Sequence, residues 1–332
     1  MKTRIIGHRD AIELLPMSGC IEVMAGTFRA LGRGEAVFPQ RQVLWQPDAR
    51  GAIGLMPSWL GSPPALGAKI ASVFPGNTDT PYESHQGAIL LFETLHGSLE
   101  AIVDAGAITA VRTAAVSGLA TRLLAREDAG DLAILGAGTQ AAMHLAAMMA
   151  VRPVRQVRIW NRNAERARQF VRSMTALHGI PITATATVRE AVAAADLVCT
   201  VTGATAPILE GAWLAPGVHV NAVGASVPGF RELDTAAVAR SRVFVDWKEA
   251  ALAEADDIRV PIREKVVDED HVVGDLADLV LDRAKGRAHA NDITLFKSVG
   301  LAVEDLAAAH HVFEQAAALD AGTLVDFGAE RH

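Results

Sequence analysis

Apolar residues recur at helical spacing at Ile21, Met24, Phe28 and Leu31, which predicts a helix over residues 19–33. From about residue 41 to 104 the pattern shortens into β-prone runs at 42–45, 53–56, 69–74, 88–92 and 99–103. The clusters Gly61-Ser-Pro-Pro64 and Pro75-Gly-Asn-Thr78 punctuate these runs, so an antiparallel or mixed sheet is expected. An alanine-rich stretch, 109–126, follows with Val111, Ala115, Leu119 and Leu123 on one helical face. Glu127-Asp-Ala-Gly-Asp131 closes it as a turn.

The pattern then alternates. Strands are expected at 132–135, 156–160, 197–201, 219–222 and 243–246, with helices at 140–150 and 164–178. Strand–helix alternation at this spacing means a parallel sheet with helices on both faces. A final helix is expected over 299–319.

Composition narrows the function classes. The 332 residues are 50% hydrophobic and 21% charged, an ordinary globular balance with enough chain for two domains. A net charge of −7 supplies no basic stripe for phosphates, so a nucleic-acid partner is not expected. Two distant cysteines, Cys20 and Cys199, point to a reducing compartment, the cytoplasm, rather than a disulfide framework. Arg112, Arg122 and Arg126 interrupt the longest apolar stretch, so no membrane span is expected. Eleven histidines show no ligand spacing, and no metal is expected. Cys199 reads as an inert buried thiol, and Asp268-Glu-Asp270 as a solvated loop.

Gly136-Ala-Gly-Thr-Gln-Ala141 directly follows the apolar run Leu132-Ala-Ile-Leu135. This is Gly-x-Gly-x-x-Ala between a strand and a helix. Gly136 permits the tight turn, Gly138 lets a pyrophosphate approach the main chain, and Ala141 packs helix on strand. The amides at Thr139 and Gln140 open a helix whose N-terminus favours an anion. The second strand ends at Trp160 and is followed by Asn161-Arg162. A carboxylate there would select NAD(H) through the ribose 2′-hydroxyl, whereas an arginine suits a 2′-phosphate. NADP(H) is therefore the expected cofactor, with NAD(H) possible.

With these elements placed, the chain resembles the ornithine cyclodeaminase/mu-crystallin family from about residue 20 to 320. The segments that carry the resemblance are Pro39-Gln-Arg41, Gly54-Leu-Met-Pro57, Gly67-Ala-Lys-Ile70, His85-Gln-Gly87, Thr109-Ala-Val-Arg-Thr-Ala-Ala115, the glycine turn, Val223-Gly-Ala-Ser226, Arg231-Glu-Leu-Asp234 and Thr294-Leu-Phe-Lys-Ser-Val-Gly300. The resemblance implies an α/β protein. Residues 1–120 with 306–332 would form an α+β substrate-binding and dimerisation domain, and 121–305 a Rossmann domain. It further implies a homodimer paired through the N-terminal sheets, and a substrate pocket in the cleft between the two domains.

Arg41, Lys69 and Arg112 match the family's binders of a substrate carboxylate. Lys69 and Arg112 stand in otherwise apolar text, where an unpaired charge is costly, so salt-bridge duty is the structural alternative. The nicotinamide is expected near Thr202, Val223–Ser226 and Ser298–Gly300. His85 has as good a claim to packing or hydrogen bonding as to catalysis.

Two departures concern the reaction. Members that deaminate ornithine carry Asp where this chain has Ser226, and cyclodeaminases tend to carry Glu where it has Gly54. Ser226 looks like the mu-crystallin branch, which resembles reductases of ketimines and cyclic imines. The expectation is therefore an NAD(P)H-dependent oxidoreductase reducing a cyclic imino acid to an amino acid. Lys69 is the expected proton donor, and Ser226 the hydrogen-bonding partner of the imine or the nicotinamide amide. Ornithine cyclodeamination and a non-catalytic, NADPH-holding crystallin-like role are the alternatives.

Overall fold

A computed structural model describes residues 2–328. The chain divides into two compact units: one runs to Thr113 and resumes at Leu301, and the other spans Ala114–Gly300. These limits lie seven residues before and five residues before the expected ones at 120/121 and 305/306, and residues 1 and 329–332 of the expected first domain lie outside the described residues.

The first unit is built on an eight-stranded mixed sheet. Its path runs Thr323–Asp326, Lys2–Ile6, Leu99–Asp104, His85–Phe92, Pro64–Val73, Ala52–Gly61 and Ala36–Val37, with Gln42–Trp45 also pairing on Ala52–Gly61. Only Lys2–Ile6 against Leu99–Asp104 is parallel. The two long strands extend further toward their turn than the apolar runs suggested. Ser62-Pro63 alone connects them, and pairing continues to Gly61↔Pro64.

Alternation along Ala52–Gly61 sends Ala52, Ser58 and Leu60 inward and leaves Ile53, Leu55 and Trp59 exposed. Helix Ala302–Leu319 covers the inner face, packing on helix Met17–Gly32 and on the two long strands. Gly67 permits this approach: a Cβ there would lie 2.4 Å from the Leu90 carbonyl oxygen and 2.9 Å from Leu306. The last helix starts at Ala302 rather than 299, because Gly300 sits at φ +79°, outside the right-handed helical region.

Helix Ala105–Leu124 differs from the one-faced reading. It is buried on every side from Ala110 to Thr121, since its residues are mostly small and its charged Arg112 is met by buried acids. Its start is fixed by Asp104, whose Oδ1 accepts from the Ala107 amide at 2.7 Å.

In the second unit eight parallel strands are ordered Ile182–Ala184, Gln156–Trp160, Asp131–Leu135, Leu197–Thr200, His219–Ala222, Ile293–Lys297, Ser241–Val245 and Val272–Asp275. The strand Ile293–Lys297 is a feature the apolar pattern did not show, and it slots between two strands made earlier. The order reverses direction between Asp131–Leu135 and Leu197–Thr200. At such a switch point a crevice opens beyond the strands' carboxyl ends. The core is the aliphatic filling between sheet and helices, among it Leu135, Val198, Val220, Val245 and Leu295.

Candidate active site

The glycine turn sits at the switch point. Gly136 follows Leu135 at φ +120°, a left-handed conformation that favours glycine, and its α-carbon faces the neighbouring strand so closely that a Cβ would lie 2.7 Å from the Val201 carbonyl oxygen. Gly138 is the residue before helix Thr139–Val151, and a Cβ placed on it meets nothing within 4 Å. Open space over a bare main chain at a helix N-terminus fits a dinucleotide pyrophosphate. Ala141 is fully buried against the sheet.

After strand Gln156–Trp160, Asn161 donates from Nδ2 to the Asn163 carbonyl at 3.0 Å, and Asn163 caps the next helix by accepting from the Glu165 and Arg166 amides. Arg162 is exposed beside this cap.

Two buried carboxylates organise the loops expected around the nicotinamide. Glu232 is fully buried. Its Oε1 accepts from the Thr202 amide (2.6 Å) and hydroxyl (2.7 Å), and its Oε2 from the Thr200 hydroxyl (2.7 Å) and the Gly224 amide (2.8 Å). Burial raises its proton affinity, while Lys297 opposes the rise. Lys297 is itself buried and pairs with Asp257 Oδ2 at 3.1 Å. Asp246 accepts from the Ser298 hydroxyl and from the amides of Val299 and Gly300, both at 2.7 Å. Thr202, Gly224, Ser298 and Gly300 are thus held by a polar frame, the Val223 amide donates to the Thr200 carbonyl beside it, and Ser226 lies half-buried in the loop beyond Gly224. Glu232 stood in a quoted segment without a role, and Asp246 was passed over. For Asp246 the available signal was a charge at the end of an apolar strand; Glu232, in a loop, carried none.

In the first unit two of the three expected cations, Lys69 and Arg112, meet on one carboxylate. Lys69 lies on the inner face of Pro64–Val73, paired with Met56, and is buried. Its Nζ donates to Thr109 Oγ1 at 2.7 Å and to both Asp305 oxygens at 3.2–3.3 Å. Arg112, one helical turn after Thr109, donates from Nε to Asp305 Oδ1 at 2.8 Å and from NH1 to Glu304 Oε2 at 2.5 Å.

Burial depresses the Lys69 proton affinity most, Asp305 opposes this, and the Arg112 and Arg41 cations lower it further. Arg41, just before strand Gln42–Trp45, acts on Lys69 through its charge. Burial works against ionisation of Asp305, yet Arg112 and Lys69 together hold it below the ordinary carboxylate range. His85 stands at the accessible start of its strand; crowding and then the Lys69 cation keep its imidazole below its usual value.

Glu304 and Asp305 escaped the sequence reading. Two fully buried acids in the first turn of an alanine-rich helix are legible as counter-ions, but only once a partner is sought almost 200 residues away. The ion pairs give Lys69 and Arg112 the salt-bridge duty that was the structural alternative for them. Gly54, on the same inner face as Lys69, has its nearest would-be Cβ contact at 3.8 Å, so the place has room for a side chain and presents no charge.

The reversed strand order and the bare glycine turn define a dinucleotide-binding α/β protein of the Rossmann class. Within that class, the chain belongs to the ornithine cyclodeaminase/mu-crystallin family, whose sequence profile matches residues 1–320. It is 39% identical to the ketimine reductase mu-crystallin of Mus musculus over 294 residues, which covers 89% of this chain and 90% of the relative. It is 34% identical to a Bacillus cereus Δ1-pyrroline-2-carboxylate reductase over 324 residues, covering 97% and 99%. The structure of the Thermococcus litoralis Δ1-pyrroline-2-carboxylate reductase with NADH and L-proline superposes with a TM-score of 0.94 at 37% identity, over 97% of this chain and 99% of that one. An archaeal alanine dehydrogenase dimer with bound NAD gives a TM-score of 0.92 at 28% identity, over 99% and 100%.

Proposed function

We propose that this protein is an NAD(P)H-dependent reductase of a cyclic imino acid, such as Δ1-pyrroline-2-carboxylate or Δ1-piperideine-2-carboxylate. Imine, reduced cofactor and one proton become the cyclic amino acid and oxidised cofactor. The observation that carries this reading is the meeting of Lys69 and Arg112, both buried, on one Asp305 carboxylate, with the Arg41 charge acting on Lys69. Family membership and the relatives' reductase activities support it.

The reduced nicotinamide supplies the hydride. Arg41 and Arg112 grip the substrate carboxylate, and Lys69 both binds it and protonates the nitrogen, because an iminium accepts hydride better than a neutral imine. Positioning of the C=N carbon is the larger contribution, since no covalent intermediate is needed. Ser226 hydrogen-bonds the imine nitrogen or the nicotinamide amide. Thr202, Val223, Ser298 and Gly300 line the nicotinamide, while Gly136, Gly138, Thr139, Gln140 and Ala141 hold the pyrophosphate. Asn161 and Arg162 receive a 2′-phosphate, so NADP(H) is preferred over NAD(H); the relatives with bound cofactor hold NADH and NAD.

The exposed apolar row Leu44, Ile53, Leu55, Trp59 and Leu66 on the outer face of the first sheet supports a homodimer, to be checked by analytical ultracentrifugation. Cys20 and Cys199 are both buried free thiols, pushed up to about 12 by burial, consistent with work in the cytoplasm. Among the described residues no helix is long and apolar enough to cross a membrane.

The test is to follow NADPH oxidation with each cyclic imine, and ammonia release from ornithine with NAD. Imine-dependent oxidation, abolished by Lys69→Ala with NADPH binding intact, is expected. Ammonia from ornithine alone, silence in both assays, or full turnover by Lys69→Ala would each overturn the assignment.

A further inference from the structure

We propose that Asp305 is the positioning residue of this active site, orienting Lys69 and Arg112 with one carboxylate and keeping the Lys69 ammonium charged for its proton transfer. The inference rests on the reductase reading above and deepens it.

The geometry is specific. Asp305 touches both cations: Oδ1 accepts from Arg112 Nε at 2.8 Å and lies 3.3 Å from Lys69 Nζ, and Oδ2 lies 3.2 Å from the same nitrogen. An ammonium carries three protons. Thr109 Oγ1 takes one, the Asp305 carboxylate takes another in a forked contact, and the third is left for a substrate. Asp305 and Thr109 together therefore fix where that third proton points.

The charges facing Lys69 come from every packed element: Arg41 before strand Gln42–Trp45, His85 on His85–Phe92, Arg112 on Ala105–Leu124, and Asp305 on Ala302–Leu319. Arg41 and Arg112 oppose the charged amine and the depressed His85 ring adds no favourable charge, so Asp305 is the group among these that favours it against burial. Glu304 meets Arg112 and not Lys69 in the contacts described above, and serves as an internal comparison. Asp305 lies in the first turn of its helix, where the aligned peptide dipoles favour an anion, and Gly67 brings that turn down onto the sheet.

Removal of an opposite charge at this distance lowers an amine's pKa by about 1–3 units. If protonated Lys69 is the reactive form, the rate falls as pH rises through its pKa, so the alkaline limb must move to lower pH in Asp305→Asn. The experiment measures pH profiles of kcat and kcat/KM for Δ1-piperideine-2-carboxylate in the full-length parent, Asp305→Asn, Asp305→Glu and Glu304→Gln. Calorimetric binding of pyrrole-2-carboxylate, a planar anion that accepts no hydride, gives a readout independent of turnover.

The expected result for Asp305→Asn is a limb displaced downward by at least about one unit, a KM for the imine raised roughly tenfold, and a KM for NADPH within about twofold of the parent. Asp305→Glu restores the limb in part, and Glu304→Gln leaves its position unchanged. A folded Asp305→Asn protein with the parental limb overturns the proposal. Should that variant not fold, Asp305→Glu decides: a shifted limb or weakened anion binding supports the role, and a change in melting temperature alone overturns it. A parent that binds pyrrole-2-carboxylate but turns over no imine would sink the reductase reading instead, leaving the binding comparison among variants to judge Asp305.

Discussion

Glu232→Gln is the substitution with the sharpest expected outcome, because it preserves shape and removes only charge and half of an acceptor pair. Each carboxylate oxygen accepts from one main-chain N–H, Thr202 on Oε1 and Gly224 on Oε2, besides one threonine hydroxyl. A hydroxyl can rotate to accept, but a peptide N–H cannot. Whichever way the glutamine amide is turned, its NH2 faces one of those two amides, donor against donor. One buried main-chain donor left unsatisfied costs about 1–3 kcal/mol, and bonds that pass from charged to neutral weaken by about 1 kcal/mol. Relief from burying a charge offsets part of this, as the raised proton affinity of Glu232 indicates. A net loss of about 3 kcal/mol should lower the melting temperature by roughly 6–12 °C for a unit of this size. On the proposed placement of the nicotinamide beside Thr202 and Val223–Ser226, NADPH affinity should fall as well. Differential scanning fluorimetry with and without NADPH, together with NADPH fluorescence titration, measures both. A variant melting within about 2 °C of the parent, with unchanged affinity, would mean that Glu232 is protonated in the native protein and that the donor–donor argument is wrong.

Two further outcomes are expected. Arg162→Ser should raise the KM for NADPH roughly 10- to 100-fold, the loss of one charge-assisted phosphate contact, and leave that for NADH within about threefold; equal losses for both cofactors would remove the 2′-phosphate role. Burial depresses His144 to about 4 and His219 to about 3, so both enter the fold neutral. Their folded values lie below the unfolded one near 6.5. Their contribution is thus complete above about pH 6.5 and is lost as pH falls toward 4 and 3, on the order of a few kcal/mol, which urea midpoints at pH 7.5 and 4.5 will detect. A flat urea profile would show that both rings are charged or solvated.

Local chemistry made parts of this fold legible. Helix Ala164–His178 sits where the pattern put it because its ends are written in the chain: Asn163 caps it, and Gly179 at φ +67° stops it. Strands Gln156–Trp160 and His219–Ala222 likewise coincide with their apolar runs. What escaped was non-local. Strand Ile293–Lys297 has an unremarkable text and exists because two distant strands leave a slot for it. Lys2–Ile6 is short and charged, and is a strand through its neighbours Leu99–Asp104 and Thr323–Asp326. For the site, three cations were legible as a group, but the acids that order them belong to a helix that reads as plain packing. Helix Ala105–Leu124 shows the converse: one buried face was evident, and the other faces look neutral only because small residues do not declare their burial.

The late arrival of Ile293–Lys297 bears on how the protein is made. A ribosome delivers residues in order, so His219–Ala222 and Ser241–Val245 emerge with an open seam between them, and neither can close its ladder until about fifty further residues have left the tunnel. The opening strand Lys2–Ile6 waits longer still for Thr323–Asp326. The second unit's sheet is therefore completed only once residue 297 has emerged and the first unit's only after residue 323, and a chain halted before residue 293 carries unpaired edges in each, making such truncated products natural clients for chaperones and proteases.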